Sequence, residues 1–200
     1  MFHRIFIAIN LPQDLKDQLR DYQQRQADKF ASAMEDTSRG IPIKWTEPEN
    51  LHLTLAFLGN IKDKNVEAVF EPVRQVAENH SRFEFNLEKS IYGPPQVTPP
   101  KMIWGMVKKT LELEAVKKDL DERLEQAPEF FFQREKRDFS PHITLARFKT
   151  VLWRLIEPEN QPEVAEDLNL SFPVESIEVM ESVLKKEGPE YKILKSFSLD

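Results

Sequence analysis

The chain has 200 residues, 40% of them hydrophobic and 31% charged, with a net charge of −6 and no cysteine. That length suits one domain, or two small lobes sharing a core, and the missing thiols exclude disulfides, thiol nucleophiles and Cys-held metal. No apolar run approaches the ~20 residues that span a bilayer, and so acidic a chain is poorly suited to gripping long duplexes through many phosphates.

Phe2 to Ile9 is dense in aromatic and β-branched residues and reads as a buried strand ending at Pro12. Its apolar stretch from Ile5 is too short for a secretory signal and runs into Asn10-Leu11-Pro12, so the cytoplasm is the expected compartment. Leu15, Leu19, Tyr22 and Phe30 fall near helical spacing and predict an amphipathic helix from Gln13 to Met34, broken by Gly40 and Pro42. A short strand from Ile43 to Thr46, a turn over Glu47 to Asn50 and a strong strand from Leu51 to Leu58 follow, closed by Gly59-Asn60. Val66, Val69, Phe70, Val73, Val76 and Ala77 form one helical face, with a kink expected at Pro72.

Phe83, Phe85 and Leu87 alternate with polar residues as a half-buried strand does. Gly93 to Pro100 holds four prolines and is the clearest loop. Lys101 to Val107 reads as a strand, and Thr110 can cap a helix carrying Leu113, Val116, Leu120 and Leu124. Two further strands are expected at Phe172 to Leu184 and Tyr191 to Phe197, with Gly188-Pro189 turning between them. The order of strands and helix in the first half returns loosely in the second.

The strongest signal is a repeat within this pattern. Leu51-His52-Leu53-Thr54-Leu55-Ala56-Phe57 returns as Pro141-His142-Ile143-Thr144-Leu145-Ala146-Arg147, so both copies read His-x-Thr-Leu-Ala. With four histidines and seven threonines in the chain, two His-x-Thr pairs arise by chance roughly once in a hundred such compositions. One such pair in a strand is usually structural; two with matching neighbours reverse those odds. Strand side chains alternate faces, so each copy offers one imidazole and one hydroxyl on one side and anchors aliphatic residues on the other. Imidazole accepts and donates protons near neutral pH, and threonine hydroxyls bond phosphate oxygens without adding charge. Two imidazoles flanking a phosphorus atom permit in-line displacement, one deprotonating water and the other protonating the leaving oxygen.

Charge supports a small anionic ligand. Arg134 to Arg154 holds six basic residues against two acids and surrounds the second copy, while Glu157 to Asp200 holds eleven acids against four lysines. His3 and His80 lack partners of this kind and read as surface or terminal residues. No Cys, His-x-x-x-His or His-Glu spacing offers a metal site, and no glycine-rich phosphate loop is present.

The chain resembles the 2H phosphoesterase superfamily, defined by two such His-x-Thr motifs, and within it the bacterial and archaeal RNA 2′,3′-cyclic phosphodiesterases, also described as 2′-5′ RNA ligases. The likeness covers nearly the whole chain: Arg4 to Pro12, Ile43-Lys44-Trp45, Pro48 to Gly59, Lys101-Met102-Ile103-Trp104, Phe139 to Arg147 and Pro189-Glu190-Tyr191. The resemblance implies one α+β domain of two lobes over residues 1–200, with two antiparallel sheets and flanking helices around a pseudo-two-fold groove floored by both motifs. It also implies hydrolysis of RNA 2′,3′-cyclic phosphate ends to 2′-phosphates, with no cofactor or metal and by a monomer. His52 would be the general acid on the 3′ oxygen and His142 the general base activating water. Thr54, Thr144 and Arg147 would hold the phosphate. Strict alternation puts Arg147 on the face of Ile143 and Leu145, so it must lie past the strand end or beside a bulge. Val151 to Leu170 matches no feature of that family and is a candidate for substrate choice. Two other readings compete: action on 2′-5′ linkages or a small cyclic nucleotide, and a non-catalytic nucleotide- or RNA-binding module on the same fold.

Overall fold

A computed structural model describes residues 1–33, 43–149, 153, 156, 158–186 and 188–200. Met34, Gly40, Pro42, Arg154 and Glu157, which bound several of the expectations above, lie outside these. The elements in chain order are β1 (Phe2–Asn10), α1 (Gln13–Ser32), β2 (Ile43–Trp45), β3 (His52–Lys62), α2 (Phe70–Asn79), β4 (Phe83–Gly93), β5 (Met102–Val107), α3 (Leu111–Gln126), β6 (His142–Phe148), β7 (Glu166–Val174), β8 (Ser176–Leu184) and β9 (Pro189–Ser198).

The expected α+β class holds, and the two antiparallel halves expected around the groove join into one path. Its order is β7-β4-β5-β6-β3-β1-β8-β9, with β2 added beside β6. The two motif strands, β3 and β6, meet at its centre through the single register pair Leu53↔Ile143. On either side lie three further strands, β5-β4-β7 and β1-β8-β9, which gives the sheet its pseudo-symmetry. The motif strands are therefore the thin junction between the two halves.

The core follows the alternation. Ile5, Ile7 and Ile9 from β1, Leu53 and Leu55 from β3, and Ile143 and Leu145 from β6 are almost fully buried. Each contributes roughly 1.5–3 kcal/mol relative to exposure. The buried side chain of Gln23 on α1 donates to the carbonyls of Thr46 (2.8 Å) and Leu145 (2.9 Å), tying the helix that follows β1 to the opposite half of the sheet. Thr110 caps α3 as expected, accepting from the Leu113 amide.

Three boundaries differ from expectation. β3 continues past Gly59 to Lys62, because Gly59 takes a positive φ of 73° within a strand that still pairs with β1. The face from Val66 begins as 3-10 turns, and α2 starts only at Phe70. Pro72 therefore sits in its first turn, where its missing N–H leaves no bond unmade, and the expected kink is not needed. The strand expected over Phe172 to Leu184 is two: β7 pairs with β4, and β8 pairs with β1 in the other half. From the stretch 151–170, Trp153, Ile156 and Val164 are buried in the core, and none lines the groove described below. Trp153 packs against Phe148 and Tyr92, so its part is structural.

Candidate active site

The pair Leu53↔Ile143 sets His52 and Thr54 beside His142 and Thr144 at the middle of the sheet. All four side chains line one groove of about 780 Å³, and the aliphatic residues between them point into the core. Beyond the threonines both strands bulge at the same place. Against β1, Thr54 pairs with Ala8 and Ala56 with Ile7, passing over Leu55. Against β5, Thr144 pairs with Trp104 and Ala146 with Ile103, passing over Leu145. Leu55-Ala56 and Leu145-Ala146 are accordingly buried as adjacent pairs, and the next residue swings to the groove face. That residue is Phe57 in β3 and Arg147 in β6, and both line the groove. The bulge resolves the conflict that alternation posed for Arg147.

Each imidazole is held in the same way. His52 Nδ1 donates to the carbonyl of Asn50 at 2.7 Å, and His142 Nδ1 to that of Ser140 at 2.8 Å, in each case two residues back. A carbonyl only accepts, so the proton of a neutral ring sits on Nδ1 and leaves Nε2 to work. Thr54 Oγ1 lies 3.0 Å from His52 Nε2.

The surroundings of the two rings differ. His52 is wedged between Phe6, with centroids 5.0 Å apart, and the edge of Tyr191 at 5.1 Å. His142 stacks on Trp104, with centroids 3.7 Å and planes 19° apart. Behind Trp104 stands Gly93, where an added methyl would meet the indole at 2.4 Å; the glycine makes room for the slab that carries His142. Burial, above all, pushes the His52 pKa down to about 4, with Lys16, Arg147 and His142 adding repulsion. His142 is also lowered, first by burial and then by Arg147.

The basic segment contributes less than its composition implied. Arg134 pairs with Glu125 and Arg137 with Glu135, and of the described residues counted there Arg147 alone lines the groove. Among the described residues the other groove-lining cations are Arg4, Lys44 and Lys185. Lys44 sits opposite Arg147 in the β2–β6 register. The sequence alone gives no role to these three, or to Trp104, Phe6 and Tyr191, although all of them except Lys185 stand in segments that carry the family likeness. His3 and His80 are away from the motifs but are not bare surface residues: His3 bridges Glu181 and Asp63, and His80 reaches Asp119. Among the described residues no cluster of three or more His, Asp or Glu is placed to hold a metal ion, and no helix is long and apolar enough to cross a membrane.

A sheet joined through two His-x-Thr strands, with both histidines on one groove, is the build of a 2H phosphoesterase. The chain belongs to the LigT-like phosphoesterase family, whose model matches residues 9–104 and 111–191. It is similar to an RNA 2′,3′-cyclic phosphodiesterase of Archaeoglobus fulgidus, 29% identical over 97% of this chain and 99% of that protein. A Thermotoga maritima protein of the same name is 27% identical over 96% and 92%. Among solved structures, TT0787 of Thermus thermophilus superposes with a TM-score of 0.75 at 26% identity, covering 98% of this chain and 97% of that one. LigT of E. coli, in its 3′-AMP complex, shares the fold with a TM-score of 0.72 at 23% identity, covering 100% and 99%.

Proposed function

We propose that the protein is a metal-independent phosphodiesterase that opens RNA 2′,3′-cyclic phosphate ends to 2′-phosphates, in one domain made of two lobes. The observation that carries the proposal is the matched pair of imidazoles, each locked through Nδ1 with Nε2 left to one groove. The names of the curated relatives support the choice of substrate.

In the reaction, His142 Nε2 takes a proton from water as the water oxygen attacks phosphorus. The P–O3′ bond breaks in line, and His52 Nε2–H delivers a proton to the departing 3′ oxygen. The products are a 2′-phosphate and a 3′-hydroxyl. Thr54 and Thr144 donate to the non-bridging oxygens while Arg147 offsets the charge that builds there, where preorganised donors act most strongly. Acting as the acid requires His52 to be protonated against the pull of its burial. The negative phosphate beside it supplies the opposing pull. Because kcat/KM reports the free protein, its optimum falls on the acid side of the ordinary histidine value of ~6.5, with kcat shifted upward from there.

The test is incubation with an oligoribonucleotide ending in a 2′,3′-cyclic phosphate, in EDTA, with the product end identified. A 2′-phosphate formed at the rate seen without chelator is expected. A 3′-phosphate, or loss of turnover that a divalent ion restores, contradicts the mechanism.

A further inference from the structure

The groove does not end at the motifs. At the end of the groove carrying Phe57 it opens into a second hollow of about 750 Å³, and the two share Arg4, Phe57, Ser182 and Leu184. On β1 the residues Phe6, Arg4 and Phe2 alternate along the strand away from His52, at about 3.3 Å per residue. Phe6 packs on His52, Arg4 is common to both hollows, and Phe2 lines only the outer one. The Arg4 guanidinium lies over the Phe57 ring, 4.9 Å from its centroid. Phe57 is 50% exposed, Phe2 63% and Leu184 71%.

Large apolar side chains left this open, along a path that starts at a catalytic groove, call for a flat apolar ligand joined to the groove's own. The groove alone falls within the range that takes up most of a drug-sized ligand. The outer hollow is therefore space for what is attached to the terminal nucleotide. Single-stranded nucleic acid fits that description, since bases stack on aromatic rings without regard to sequence and cations track the backbone between them. The outer hollow also contains Lys192. The nearby carboxylates of Glu181 and Asp63 are both engaged by His3, at 2.7 and 2.8 Å.

We infer that the outer hollow is a binding site for the nucleotide 5′ to the cyclic-phosphate end. Its base stacks on Phe2, and Arg4 faces the phosphodiester that crosses from one hollow to the other. This assignment rests on the proposed function and deepens it, because it makes the protein a reader of RNA strands where a mononucleotide enzyme would need only the inner groove.

The experiment compares kcat/KM for a mononucleoside 2′,3′-cyclic phosphate and for a dinucleotide ending in the same nucleoside cyclic phosphate. It is run on the parent chain and on Phe2→Ala and Phe2→Tyr. Phe2 is exposed, so both variants are expected to fold, and circular dichroism checks this. The dinucleotide is expected to be favoured about ten-fold or more in the parent. That ratio should collapse toward one in Phe2→Ala and be retained in Phe2→Tyr, which keeps the aromatic face. Hydrolysis of both substrates with equal kcat/KM in the parent overturns this inference alone, as does a ratio that survives Phe2→Ala. No hydrolysis of either substrate overturns the proposed function and this site together.

Discussion

The two motif strands have the same backbone and different neighbours. β3 and β6 each present histidine, then threonine, then a bulge at the following leucine, and both imidazoles are tied by Nδ1 to a carbonyl two residues back. The side chain delivered by the bulge is apolar Phe57 in one and cationic Arg147 in the other. One imidazole is wedged among Phe6 and Tyr191, and the other lies flat on Trp104. A repeated unit thus gives a symmetric pair of imidazoles, and unlike packing makes the pair unequal. With His52 as the acid and His142 as the base, the proposed reaction works against that inequality until the negative phosphate binds beside His52.

The largest effect is expected from deleting either imidazole. His52→Ala and His142→Ala should each slow turnover by ~10²–10⁴, about 3–5 kcal/mol of barrier. His80→Ala, whose ring binds Asp119 away from the groove, should leave the rate nearly unchanged. Single-turnover rates on a cyclic-phosphate substrate decide this, and an active His142→Ala ends the two-histidine account.

Exchanging what the bulges deliver probes the difference itself. Arg147→Ala should lower kcat roughly 10²-fold, as the loss of one donor to developing charge does. Phe57→Ala should act mainly on KM, since its ring offers surface and no charge. Equal effects of the two on kcat would mean that the halves are not divided in this way.

A smaller effect is expected in stability against pH. Both imidazoles have folded pKa values below the unfolded value of ~6.5, so the unfolded chain takes up protons that the folded one refuses. The melting temperature should therefore fall as pH drops from ~6.5 toward about 4, the folded value of His52. His52→Asn should flatten that slope more than His142→Asn, because burial acts harder on His52. A slope that is the same in both variants and the parent would place the depression elsewhere.

Much of this was legible in the sequence, and the reasons differ by element. The motif strands could be read because a period of two, repeated with the same residue types, has little other cause. The bulges could not, since Leu55-Ala56 and Leu145-Ala146 look like any apolar neighbours; Arg147 showed only as a conflict with alternation. β7 and β8 run together in the sequence because Val174-Glu175-Ser176 carries no glycine and the neighbouring Pro173 lies inside β7, although the chain crosses there from one half of the sheet to the other. Pairing with β4 and β1 separates them, and such pairing is long-range. Phe6, Trp104 and Tyr191 reach the histidines from strands distant in sequence, which no local pattern records.

The division of labour between the halves is tested most directly by a leaving group that needs no proton. A 2′,3′-cyclic substrate with sulfur in place of the bridging 3′ oxygen should be hydrolysed by His52→Ala at a rate close to that of the parent protein. His142→Ala should remain as slow on it as on the oxygen substrate. Rescue of His142→Ala in place of His52→Ala would contradict the assignment of acid to β3 and base to β6.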